Sequence, residues 1–209
     1  ADVDGGANTG LEEGVLQEDL TVGDRDHVGR DERRHVAGLG LDDRQCRERT
    51  GALLLIGSDG SKKSVYSFND DGGFPRVHFG DGMQAGVFDV VLHPDFDENS
   101  KLFISYAGLQ EDGENTLFLM SFDLDQSGAS PRLTNGQQLF AATPSRVQGN
   151  HYGGRIVFLP DGTLMMPIGE AFHFREEAKK LDNRFGKIVR LNDDGTVPAD
   201  NPFIDAAGA

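Results

Sequence analysis

Three runs of this 209-residue sequence hold side chains able to do chemistry. The first is Gly149-Asn150-His151-Tyr152-Gly153-Gly154-Arg155, just ahead of the apolar run Ile156-Val157-Phe158. Its histidine would project from a loop where a strand begins. An imidazole titrates near neutral pH, so His151 could act as a general base. The paired glycines would let the backbone come close to a ligand. The second run is Pro167-Ile168-Gly169-Glu170. If Ile156–Phe158 and Leu164–Ile168 pair as a hairpin, Glu170 would lie beside His151. A carboxylate on one imidazole nitrogen fixes the tautomer and stabilises the imidazolium. In the third run, Gln84 precedes the apolar stretch Val87–Leu92 and could reach a ligand, while His93, before Pro94, reads as a turn residue. Each run also has an ordinary reading. A lone loop histidine is commonly just a surface residue, and Glu170 could be a solvated glutamate at a strand end. Spacing alone leaves both readings open.

Other chemical templates are missing. There is no phosphate-cradling glycine loop followed by Lys-Ser/Thr, no His-Glu-x-x-His helix, no EF-hand loop and no Cys-x-x-Cys pair. No Gly-x-Ser-x-Gly elbow is present.

The elements that must carry these residues read as strands. Leu53–Ile56, Ser64–Phe68, Val87–Leu92, Leu102–Tyr106, Thr116–Leu124, Gln138–Ala141, Ile156–Phe158, Leu164–Ile168 and Lys187–Leu191 are short apolar or alternating runs. Asp/Gly turn signals separate them, and Asn69-Asp70-Asp71-Gly72, Leu159-Pro160-Asp161-Gly162 and Asn192-Asp193-Asp194-Gly195 look alike. Only Arg175 to Leu181 looks helical, and briefly. Such a pattern predicts an all-β fold with a repeated sheet unit: a sandwich, barrel or propeller.

Residues 1–50 differ from the rest. All 14 Phe and 3 Tyr lie in 51–209, and the basic side chains of 1–50 are arginines without a lysine. This segment reads as poorly ordered. An interaction tail and a translated wrong reading frame are the other readings. Residues 51–209 read as the folded part. A net charge of −15 opposes binding to nucleic acid. A single cysteine, Cys46, allows no intramolecular disulfide. No apolar run approaches the length of a membrane span, and no signal peptide is visible.

The blocks QAGVFDVVLHPDF (84–96), GNHYGGRIVFLPDG (149–162), IGE (168–170) and FGKIVRLNDDGTVPADNPF (185–203) resemble, in order and spacing, the soluble PQQ-dependent glucose/sorbosone (aldose sugar) dehydrogenases. The resemblance covers roughly residues 65 to 209. It implies a partial six-bladed β-propeller, about half of one, with pyrroloquinoline quinone (PQQ) and calcium in a top-face cavity. It implies an enzyme oxidising the anomeric hydroxyl of an aldose to a lactone and passing electrons to an external acceptor. His151 matches the family's catalytic base, Glu170 the acidic residue that orients it, and Gln84 a residue contacting substrate or cofactor. Arg155 follows a glycine-arginine step and is taken as structural. No residue here matches a metal ligand; most PQQ and calcium ligands of the family would lie beyond Ala209. Family members are generally exported, which implies a periplasmic or secreted protein.

Two departures accompany the resemblance. Six four-stranded blades of about 40–50 residues need well over 209. The family's opening block, with its Pro-Trp element, is not found in residues 1–50, and the chain has no tryptophan. A half-propeller would expose strand edges and apolar faces, so the 209-residue chain is expected to be poorly soluble or to dimerise, with little dehydrogenase activity of its own. Two other readings remain: a non-catalytic propeller module, and a metal-dependent propeller lactonase. The latter would have only Glu170, Asp89 and His151 to hold its metal, and their order does not suggest such a site.

Overall fold

The computed structural model describes residues 39–41, 51–57, 60–70, 72–80 and 83–205. Among the described residues, ten strands form three antiparallel sheets, each a simple meander. The first holds β1 (Leu39–Leu41), β2 (Ala52–Ile56) and β3 (Lys62–Ser67). The second holds β4 (Val87–Leu92), β5 (Lys101–Leu109), β6 (Asn115–Asp125) and β7 (Arg132–Ala141). The third holds β8 (Val157–Phe158), β9 (Leu164–Pro167) and β10 (Ile188–Leu191). Strand β1 lies inside the segment set apart as 1–50; the remainder of that segment is outside the described residues.

The second sheet is apolar on both faces, and this decides the architecture. Along β5, successive side chains alternate between two cores. Leu102, Ile104 and Tyr106 join Leu53, Val65 and Phe68 of the first sheet's region. Phe103 and Ala107 join Ile156, Leu164 and Met166 on the other side. Strand β6 repeats the pattern, with Phe118, Met120 and Phe122 facing one way and Leu117 and Leu119 the other. Each fully buried Leu or Phe contributes about 1.5–3 kcal/mol. A sheet with two apolar faces must be covered twice, so the sheets stack face to face as propeller blades. The fold is all-β, as the turn pattern predicts, and part of a β-propeller, as the resemblance implies.

Several boundaries differ from the sequence expectation. The helical stretch at Arg175–Leu181 is a single 3-10 turn over Arg175–Lys179. A four-residue helix, α1 (Phe96–Asn99), links β4 to β5 and buries no side chain, so it leaves no periodic trace. Strand β7 begins at Arg132 rather than Gln138. Register shifts against β6 and a positive φ at Asn135 break its alternation and hide the first half. The look-alike turns at Asp161 and Asp194 are built alike. Thr163 donates its N–H and hydroxyl to Asp161 Oδ1, and Thr196 does the same to Asp194 Oδ1.

Candidate active site

The site forms where the loop before β8 meets the end of β9. The Asn115 and Arg146 backbones exchange hydrogen bonds of 2.8 and 2.9 Å, fixing the start of that loop against the second sheet. Asn115 Nδ2 donates to the Arg146 carbonyl at 2.8 Å, and the Tyr152 hydroxyl donates to Asn115 Oδ1 at 2.5 Å. Burial pushes the Tyr152 phenol up to about 12, so it remains a donor. The Ser105 hydroxyl, on β5, donates to the Gly154 carbonyl at 2.5 Å.

Two glycines then bring the loop onto β9. Gly153 has φ +81°, and a Cβ there would overlap the Pro167 carbonyl; a Cβ at Gly169 would overlap the His151 carbonyl. Across this close approach Gly169 N–H donates to the Tyr152 carbonyl at 2.7 Å, and Gly154 N–H to the Pro167 carbonyl at 2.9 Å. The paired glycines therefore serve contact between backbones, and Gly154 additionally leaves room for Phe88. The sequence reading had them bring the backbone close to a ligand.

This register sets His151 against Glu170. His151 Nδ1 lies 2.7 Å from Glu170 Oε1. The carboxylate only accepts, so Nδ1 carries the proton, and in the neutral ring Nε2 is left as an acceptor. Burial works to raise the Glu170 pKa, but the hydrogen bond from His151, helped by the His151 and Arg175 charges, leaves it below the ordinary glutamate value. Glu170 is thus ionised at neutral pH. Gln84 comes from the start of the second sheet, and its Oε1 accepts the His151 N–H at 2.9 Å. The two N–H donors of that amide have no partner among the described residues. Histidine itself sits at φ +52°, a left-handed conformation that a non-glycine residue adopts only when its surroundings hold it there.

The structure therefore brings His151, Glu170 and Gln84 together. It leaves the other candidates apart. His93 Nδ1 accepts the Asp95 N–H at 3.0 Å, within a turn. Arg155 is mostly exposed and lies 3.9 Å from Asp89, whose Oδ2 accepts the Ile156 N–H. No group of three His, Cys, Asp or Glu side chains among the described residues is placed to hold a metal. Two residues at the site escaped the sequence reading. Phe172, at φ +64°, sets its ring edge-to-face with His151 at 5.2 Å. Arg146 is 2% exposed beneath the loop, with its Cζ 4.1 Å from the Tyr152 ring centre. Neither carries a signal in the local sequence.

The chain belongs to the Glucose / Sorbosone dehydrogenase family, whose model matches residues 39–209. It is 38% identical over 130 residues to aldose sugar dehydrogenase YliI of Escherichia coli, covering 60% of this chain and 33% of that protein. It is 28% identical over 180 residues to quinoprotein glucose dehydrogenase B of Acinetobacter calcoaceticus, covering 75% of this chain and 36% of that one. The crystal structure of the soluble aldose sugar dehydrogenase from Escherichia coli in the apo-form superposes with a TM-score of 0.64 at 31% identity, over 77% of this chain and 43% of that chain. The chain thus spans about a third of the length of these curated relatives. No helix among the described residues is long and apolar enough to cross a membrane.

Proposed function

We propose that the protein is a sugar dehydrogenase that oxidises the anomeric hydroxyl of an aldose to a lactone, with His151 as the base. The observation that carries this reading is the 2.7 Å contact between His151 Nδ1 and Glu170 Oε1. It fixes the tautomer that leaves Nε2 free to take the hydroxyl proton. Glu170, already ionised, stabilises the imidazolium that results. Gln84 locks the His151 backbone and offers its amide N–H donors to substrate or cofactor oxygens. PQQ, when bound, would supply the hydride acceptor, with an external acceptor as the final destination of the electrons. The quinoprotein name of one relative supports that cofactor. Gln84 is the residue of this chain that suits contact with it. Calcium, the family's other cofactor, is given no step here. A periplasmic or secreted location goes with the same reading. In a non-catalytic module the histidine pair would be dispensable, and in a lactonase the metal would need ligands that the described residues do not gather.

Dye reduction by an aldose tests the reading, using the native gene product loaded with PQQ. His151→Asn should lower turnover by about 10²–10⁴-fold while the protein stays folded. Turnover unchanged in His151→Asn would remove the base from His151 and overturn the proposal.

A further inference from the structure

Phe172 is an apolar ring at the surface, in a backbone conformation that suits glycine. It is 41% exposed, and φ is +64° there and +56° at Ala171 before it. His173 N–H donates to the Ala171 carbonyl at 2.7 Å, so Phe172 is the middle residue of a three-residue turn. With a positive central φ such a turn is rare and strained, and a bulky side chain adopts it only where its surroundings hold it. Neighbours on both sides do so. Ala171 is fully buried, and its N–H donates to the His151 carbonyl at 3.4 Å. Phe174 N–H donates to the Glu170 carbonyl at 3.2 Å, and the Phe174 ring stacks on the buried Phe185 ring at 5.0 Å. Core packing of Phe172 itself does not account for the strain, because much of its ring stays in water.

The turn sends two side chains back to one imidazole. Glu170 Oε1 meets His151 Nδ1 at 2.7 Å. Phe172, two residues on, sets its ring edge-to-face with the imidazole, 5.2 Å between centres and 84° between planes. Aromatic rings attract one another in this arrangement. A single hydrogen bond fixes one point of the imidazole and leaves the ring free to swing about the Nδ1–Oε1 line. The His151 side chain is 37% exposed, so burial alone does not hold it. A second contact off that line sets the plane of the ring, and with it the direction of Nε2.

We propose that Phe172 is a positioning residue for His151, its ring holding the imidazole plane so that Nε2 faces the substrate hydroxyl. The strained turn is what puts the ring there. Arg175 steadies Phe172 in turn, with its Cζ over the ring at 4.6 Å from the centre, and His173 meets the same ring edge-to-face at 5.1 Å. Glu170 thus sets which nitrogen carries the proton, and Phe172 sets where the other one points. The inference rests on the reading of His151 as the base.

Dye reduction by the native gene product loaded with PQQ tests this, with kcat and KM read separately. Phe172→Leu keeps an apolar side chain and removes the ring. It should lower kcat by about 10–10²-fold and leave KM within about twofold of the parent. Phe172→Tyr keeps the ring and should return kcat close to the parental value. The melting temperature of Phe172→Leu should stay within about 3 °C of the parent, because the ring is exposed. In the 209-residue chain, proton NMR should show a nuclear Overhauser contact between the Phe172 and His151 rings, a readout that needs no turnover. Absence of that contact overturns the proposal, as does a parental kcat in Phe172→Leu. A raised KM at parental kcat also overturns it, since the ring would then touch substrate instead of orienting the base. So does a larger fall in melting temperature, or failure to fold, because Phe172 would then be a structural prop. His151→Asn separates this role from the reading beneath it. If turnover is lost there but kept in Phe172→Leu, His151 remains the base and only the role of Phe172 falls. If turnover is unchanged in His151→Asn, both fall together.

Discussion

The second sheet and the hairpin of β8 and β9 are both antiparallel pairings, but they do opposite work. Strands β5 and β6 pair over nine residues, and most of their side chains are fully buried. Strand β8 pairs with β9 over two residues, and Val157 on it is half exposed. The long pairing is regular and apolar. The short one ends in left-handed residues at His151, Ala171 and Phe172, held by glycine contacts and a buried polar cluster. Stability is concentrated in the first region, and the candidate site sits where backbone regularity has been given up in the second.

That contrast can be broken from either side. Gly169→Ala should give the largest effect on the site. The new methyl collides with the His151 carbonyl backbone, which no rotamer change relieves, so the 2.7 Å contact to Glu170 should be lost. Turnover of the loaded protein should fall by about 10²-fold or more. Loss of stability should be smaller than for a core truncation, as denaturant titration would show. Leu119→Ala should do the reverse. Leu119 is fully buried between the second and third sheets, so unfolding free energy should drop by about 2.7–5 kcal/mol in urea titration. Turnover per folded molecule should stay close to that of the parent.

The smallest effect belongs to the turn at Asp161. Hydrogen bonds from the Thr163 hydroxyl and N–H, with Arg190 assisting, lower its pKa from 3.8 to about 2. A carboxyl whose folded pKa is depressed contributes stability above its unfolded pKa, and that contribution is lost as pH falls through the folded value. The thermal midpoint should therefore lose this increment between about pH 4 and pH 2. Asp161→Asn should flatten that part of the profile and leave neutral-pH turnover unchanged. A profile of the same shape in both proteins would show that the turn is indifferent to its charge.

Much of the fold could be read from residue order. Leu102–Tyr106 and Thr116–Leu124 mark the strands of the second sheet because both faces needed apolar residues. The hairpin at Leu159-Pro160-Asp161-Gly162 was legible from its turn, and with it the approach of Glu170 to His151. Gln84 was legible only as a polar residue ahead of a strand; its bond to the His151 amide depends on how the second sheet meets the third. Arg146 was illegible. Between Ser145 and Val147 it reads as an ordinary surface arginine, and its burial comes from Tyr152 and Phe185, which the chain supplies later. The left-handed φ of His151 was equally hidden, since nothing in Asn-His-Tyr demands it. It follows from the overlap that Gly153 and Gly169 permit.

The Gln84–His151 hydrogen bond spans 67 residues, whereas the His151–Glu170 contact spans 19. Loop-closure entropy makes the shorter contact the easier to form, and the longer one must wait until the whole second sheet is in place. His151 and Glu170 can therefore meet early in folding. The locking of the histidine backbone is a late event that reports the docking of one blade on the next. The pair would then act as a check on assembly: a molecule whose sheets have not stacked has the imidazole and the carboxylate, but not the grip that holds them in register.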